Sequence, residues 1–162
     1  MEHGYVEHDV LVSIEPMFGK QVTADWLAAI ARLTLEMEKA EGCQLSVVIT
    51  GDDQILALNR EYAGEDHATD VLSFSLREGE EFVAPDGMNR LGEVVVSYET
   101  AQRQAVAGGH EVDEEIAHLL VHGVLHLLGY DHAEAEGEEK MRGRERRVLG
   151  ELGITPRYPE SG

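Results

Sequence analysis

Three histidines in the stretch His122-Gly123-Val124-Leu125-His126-Leu127-Leu128-Gly129-Tyr130-Asp131-His132 have the residue type and spacing of a metal site. His122 and His126 stand four apart, so on a helix they share one face, one turn above the other. Gly129 follows within the next turn and can take the left-handed conformation that ends helices. The chain can then fold back and bring His132 to the same point. Three converging imidazoles make a catalytic-type zinc site, with the fourth tetrahedral position left to water or substrate. A single histidine on an apolar helix would read as a buried residue satisfied by hydrogen bonds. Three at this spacing, with glycine at the bend, read as ligands of one zinc ion.

Such an ion can lower the pKa of bound water to about 7 and polarise a carbonyl or phosphoryl oxygen. Asp131 can accept a hydrogen bond from a ligand or act as a base, or it is a turn residue. His118 lies one turn before His122 on the same stripe. It is too distant to ligate, but it can contact substrate or shuttle protons, or it lines the helix surface. His3, His8, His67 and His110 lack ligand spacing and read as surface residues. The three-histidine spacing is that of the metzincin zinc peptidases, His-Glu-x-x-His-x-x-Gly-x-x-His, whose Glu is the general base. Gly123 stands at that position here, and glycine cannot move a proton. The motif therefore supports the metal and argues against a protease.

The elements that must hold these residues follow from periodicity. Residues 6–15 form a β-branched, partly alternating run, a strand broken by Pro16, Phe18 and Gly19. Thr23 caps a helix through Trp26, Leu27, Ile30, Leu33, Leu35 and Met37 to about Ala40, ended by Gly42. Residues 45–50 read as a buried strand. Asp52 or Asp53 caps a helix through Ile55, Leu56, Leu58 and Asn59 to Tyr62, stopped by Gly64. Residues 69–76 are a third strand, 77–90 a loop rich in glycine, proline and acids, and 91–97 a fourth strand. A helix follows from Tyr98 to about Ala107, ended by Gly108-Gly109. Asp113 caps the longest helix, residues 114–128, with Ile116, Leu119, Leu120, Val124 and Leu127 on its core face and the histidines facing a cleft. A charged helix over about 134–149 closes the chain. This predicts one α+β or α/β domain around about four strands, with no repeat or linker.

At 162 residues the chain can bury a core without disulfides. Its hydrophobic fraction of 43% and four prolines fit a globular protein. No apolar run approaches the roughly 20 residues that span a bilayer, and the N-terminus carries no signal-peptide pattern. No membrane role is expected. The lone Cys43 reads as a buried hydrophobe in a reducing compartment, hence a cytoplasmic location. The formal charge of −19 argues against general nucleic-acid binding, without excluding a local basic patch. The densest cations are Arg142, Arg144, Arg146 and Arg147, which read as a solvated face pairing with Glu138, Glu139 and Glu145, or as a phosphate contact. Tyr130 and Phe74 read as packing residues that could also stack a base.

Residues 122–132 resemble the signature of the YbeY endoribonuclease family, His-Gly-x-Leu-His-Leu-x-Gly-Tyr-Asp-His. So do Leu58-Asn59-x-x-Tyr62 followed by Asp66-x-x-Thr69-Asp70-Val71-Leu72-Ser73-Phe74, then Leu91-Gly92-Glu93-Val94, and Met141 with Glu145. The likeness spans nearly the whole chain, 1–162, in the family's order. It implies a single α+β domain with a mixed four-stranded sheet, about five helices and a metzincin-like helix holding one zinc ion through His122, His126 and His132. It also implies a single-strand-specific endoribonuclease of bacteria and organelles, acting on ribosomal RNA, notably at the 3′ end of the small-subunit RNA, and in ribosome quality control. Small-subunit ribosomal proteins and a ribosome-assembly GTPase are the partners it brings with it.

Two positions depart from the family. Ala68 replaces a proline, and Ala63 replaces an arginine suited to hold a phosphate. Arg60, one helical step away at i−3, can supply that charge from the same face. The catalytic candidates are therefore Asp131, His118 and Arg60. The alternative is a zinc-stabilised ribosome-assembly factor that does not cleave, which Gly123 and Ala63 keep open.

Overall fold

Strand and helix alternate along the chain up to two successive strands, the described residues after 97 carry helices, and a mixed sheet results. A computed structural model describes residues 8–75, 89–130 and 135–156. The strands are β1 (Asp9–Ile14), β2 (Cys43–Thr50), β3 (Val71–Ser75) and β4 (Asn89–Ser97). The helices are α1 (Ala24–Met37), α2 (Asp52–Ala63), α3 (Tyr98–Gly108), α4 (Val112–Leu127) and α5 (Ala135–Glu151), with a short 3-10 turn at Pro16–Phe18. The expected loop over 77–90 lies largely outside the described residues, as do Asp131 and His132.

The sheet order is β1-β2-β4-β3, with β1, β2 and β4 mutually parallel and β3 antiparallel to β4. This is the expected four-stranded mixed sheet with five helices. β2 alternates buried and half-buried positions, with Cys43, Leu45, Val47 and Ile49 turned to the core. The register between β2 and β4 shifts at Gln44 and Leu45, and Gly92 sits at that irregularity with φ 139°. A Cβ at Gly92 would lie 1.9 Å from the carbonyl oxygen of Phe74, so only glycine lets β3 approach β4 there.

α4 packs against α1, α3, α5, β3 and β4. Ile116, Ala117, Leu120, Val121, Val124 and Leu125 on it are fully buried. Gly123 faces the sheet: a Cβ there would come 2.6 Å from Val94 Cγ1 and 3.2 Å from Ser73 Oγ. This places the position of the peptidase base against strands rather than in the cleft.

Several boundaries differ from the sequence expectation, each for a local reason. α1 stops at Met37 instead of near Ala40, because the chain reverses through Lys39 at φ 56° while the Ala40 N–H donates to the Leu35 carbonyl. Gly51, not an aspartate, is the N-cap of α2. The Asp52 carboxylate is instead taken by Ser97 Oγ at 2.7 Å, Thr100 Oγ1 at 2.6 Å and Arg103 at 2.8 Å, tying α2 to α3. α4 begins at Val112 with Glu111 as N-cap in a reciprocal capping box with Glu114, so Asp113 falls in the first turn rather than at the cap. Thr23, as expected, caps α1 through the Trp26 N–H.

Candidate active site

A cleft of about 790 Å³ opens between the histidine face of α4, the inner face of α5, the end of α3 and the start of β3. His118 and His122 line it together with Thr69, Asp70, Met141 and Glu145. The histidine stripe and the Thr69-Asp70 block, far apart in sequence, therefore meet at one wall.

Local bonds explain why they meet. Buried Asn59 donates through Nδ2 to the His67 carbonyl at 2.9 Å, which fixes the segment leading to Thr69. The Asp70 carboxylate accepts from the Val71 N–H at 2.8 Å and starts β3. Ser73 Oγ donates to the Gly123 carbonyl at 3.3 Å, docking β3 on α4. Tyr62 and Phe74 meet edge to face with ring centroids 5.4 Å apart.

At the centre of the cleft wall is Glu145 of α5, 1% exposed. Its Oε1 lies 2.8 Å from His118 Nε2 and its Oε2 lies 2.6 Å from His122 Nδ1. Burial of a carboxylate is costly unless it is paired, and two imidazoles supply the pairing. The sequence reading assigned Glu145 to a solvated face of the last helix. It is instead a buried acid, because Met141, Val148 and Leu149 on the same stripe carry that side of α5 into the core.

The donor set suits a metal. Metal-binding histidines commonly give one ring nitrogen to a carboxylate and the other to the ion. With Nδ1 of His122 on Glu145, Nε2 is the nitrogen that would ligate. His126 stands one turn on, solvent-exposed. His132 and Asp131 lie outside the described residues, and among the described residues no three His, Cys, Asp or Glu side chains form a metal cage.

The other candidates fall elsewhere. Arg60 is on α2, outside the residues lining the cleft, and pairs with Asp66 through Nε at 2.7 Å and Nη2 at 2.5 Å. Arg142 bridges to Glu138 at 2.6 Å, the pairing expected of a solvated helix face, whereas Arg144 approaches Glu38 at the end of α1 at 3.8 Å, a partner on another helix. Tyr130 donates its hydroxyl to Glu38 Oε1 at 2.7 Å; burial, then this bond, raise its phenol above the ordinary range.

Two histidines read as surface residues are buried. His8 is 5% exposed and accepts the Cys43 N–H at Nδ1, 3.1 Å away. The His110 side chain is 7% exposed and meets Glu115 Oε1 at 2.6 Å through Nε2. His67 is exposed, as expected, and His3 lies outside the described residues.

The chain matches the family model described as Endoribonuclease YbeY over residues 14–153. Among curated relatives bearing that name, the one from Dehalococcoides mccartyi strain BAV1 is 44% identical over 144 residues, covering 83% of this chain and 90% of its own. That from Pelotomaculum thermopropionicum is 43% identical over 149 residues, covering 89% and 98%. That from Chloroflexus aurantiacus is 41% identical over 153 residues, covering 90% and 98%. In structure the chain is similar to TM1509 from Thermotoga maritima, known from a solution structure. The TM-score is 0.58 at 25% identity, over 89% of this chain and 91% of that one.

Proposed function

This chain belongs to the endoribonuclease YbeY family, and on that premise we infer how its residues divide the work of cutting RNA. It is an endoribonuclease, a hydrolase acting on RNA, with a role in rRNA processing. We read the activity as zinc-dependent and specific for single strands. The observation that carries the zinc reading is the grip of Glu145 on both His118 and His122 at the wall of the cleft.

His122, His126 and His132 would hold one zinc ion. When bound, the ion supplies a Lewis acid that polarises a phosphoryl oxygen and makes water more acidic. Glu145 fixes the ring of His122 so that its Nε2 is the ligating atom. His118 Nε2 lies 2.8 Å from Glu145 Oε1, and His118 lines the cleft, where it would act in proton transfer. Asp131, beside the third ligand, takes the second proton-transfer role. Arg60 holds the RNA phosphate, substituting for the family arginine whose place Ala63 occupies; its exposure leaves it able to exchange Asp66 for a phosphate.

The finer setting of the reaction follows the family resemblance: the 3′ end of small-subunit rRNA, quality control, and contacts with small-subunit proteins and an assembly GTPase. A cytoplasmic location fits the lone buried Cys43. Among the described residues no helix is long and apolar enough to cross a membrane.

The test is cleavage of single-stranded RNA by zinc-loaded protein, by His126→Ala and by a chelated sample. Activity lost in the latter two supports the reading. Activity that persists in His126→Ala, or none in the zinc-loaded protein, overturns it.

A further inference from the structure

The cleft does not end at His118. Along α4 its wall runs back from His122 to Glu115, about 10 Å at 1.5 Å per residue, and His110 lies beyond. This far end is a site in its own right by its hydrogen-bonding inventory. The 2.6 Å contact between His110 Nε2 and Glu115 Oε1 is that of an N–H donating to a carboxylate, which assigns the proton to Nε2. In the neutral ring Nδ1 is then an acceptor, and it is buried with no hydrogen-bond partner. A buried polar atom left without a partner calls for an explanation, and a ligand donor is one.

The neighbouring lining groups are acceptors as well. Asp70 and Glu115 contribute carboxylates, and Gln104 offers an amide that can both accept and donate. Among the described residues the guanidinium that lines the cleft, Arg142, is bridged to Glu138 at 2.6 Å. A phosphate entering here would meet carboxylates. A flat ring bearing an amino group would meet acceptors in this lining, to which Ala107 and Leu119 add apolar surface. Ten ångströms of wall past His122 also leaves room for the nucleotide next to the reacting one.

Resting on the ribonuclease reading above, we propose that the His110–Glu115 end of the cleft receives the base of the nucleotide beside the scissile phosphate. It takes bases carrying an exocyclic amino group (cytosine, adenine, guanine) ahead of uracil, which has none. Gln104, Asp70 and His110 are the residues that read it.

The zinc-loaded full chain is titrated with short 2′-O-methyl oligomers of cytosine and of uracil, shown to stay intact by gel electrophoresis, and binding is read by fluorescence anisotropy. Cleaved ends of a random-sequence single-stranded RNA are sequenced in parallel. One hydrogen bond of ordinary strength predicts cytosine binding about three- to tenfold tighter, and uracil depleted at one position beside the cut. Gln104→Ala, on the exposed side of α3 where folding is not at stake, and His110→Asn should each bring the two affinities closer together. Equal affinities in the wild type, or a preference that survives both variants, overturns the subsite. Cleavage with equal base affinities removes the subsite alone; absence of all RNA cleavage removes the ribonuclease reading with it.

Discussion

Glu145 Oε2 lies 2.6 Å from Nδ1 of His122, a residue on a different helix, so α5 holds the ring of a histidine of α4 that we propose as a zinc ligand. If this contact sets the metal geometry, Glu145→Gln should keep the shape of the site and weaken zinc binding. Loss of such a supporting carboxylate typically costs 10- to 100-fold in affinity, about 1.4 to 2.8 kcal/mol. A competition titration with a chromogenic chelator measures it. An unchanged affinity would show that Glu145 serves packing alone.

Gly123 makes a second, structural prediction. Its missing Cβ is what lets α4 lie on Val94, a β-branched core residue with little rotamer freedom. Overpacking of this kind costs about 1–3 kcal/mol, against about 1 kcal/mol that alanine regains in helix propensity. Gly123→Ala should therefore lower stability by about 1 kcal/mol, or roughly 2–4 °C in Tm. Gly123→Glu, which restores the peptidase base in sequence, should unfold the protein rather than create a peptidase. Urea unfolding decides both, and a stabilised Gly123→Ala would contradict the packing.

How much of this was legible beforehand differs by feature. The histidine stripe, the helix stops at Gly64 and Gly109 and the four strands were written in local periodicity and turn chemistry. The burial of Glu145 was not foreseen, because counting charges made α5 look solvated. The step pattern Met141, Glu145, Val148, Leu149 was the available signal: a core stripe with an acid inside it. Asp52 was misread as a cap because its partners Ser97, Thr100 and Arg103 come from another helix and its approach. Burial of His8 and His110 likewise depends on pairing at long range or around a corner, which residue spacing does not report.

Arg60 separates structure from catalysis. Its pair with Asp66 is exposed on both sides, and such pairs contribute only about 0–1 kcal/mol. Arg60→Ala should leave Tm within about 2 °C while cutting kcat/KM for single-stranded RNA at least about tenfold, the loss of one charge-assisted phosphate contact. Unchanged cleavage would remove Arg60 from the site and leave the role of the family arginine unfilled.

A pH effect follows from His8. Burial, partly opposed by Glu36 and reinforced by Arg32, holds its pKa below the ordinary 6.5. The unfolded chain then binds the proton more readily, so stability rises with pH up to 6.5 and is level above it. Wild-type unfolding free energies measured on either side of 6.5 should fall toward acid. The fall should be smaller in His8→Gln, which keeps an acceptor for the Cys43 N–H. Equal slopes in the two proteins would assign the acid sensitivity elsewhere.

The position of β4 in the sheet bears on how the molecule is made. It lies between β2 and β3 yet is the last strand to be synthesised, so before residue 97 emerges only the β1–β2 pair can form. Such long-range pairing slows folding. The carboxylate that steadies His122 arrives later still, on α5. A nascent chain thus carries His122 and His126, spaced on α4, before the carboxylate that holds the His122 ring, and that contact forms only once α5 has been made.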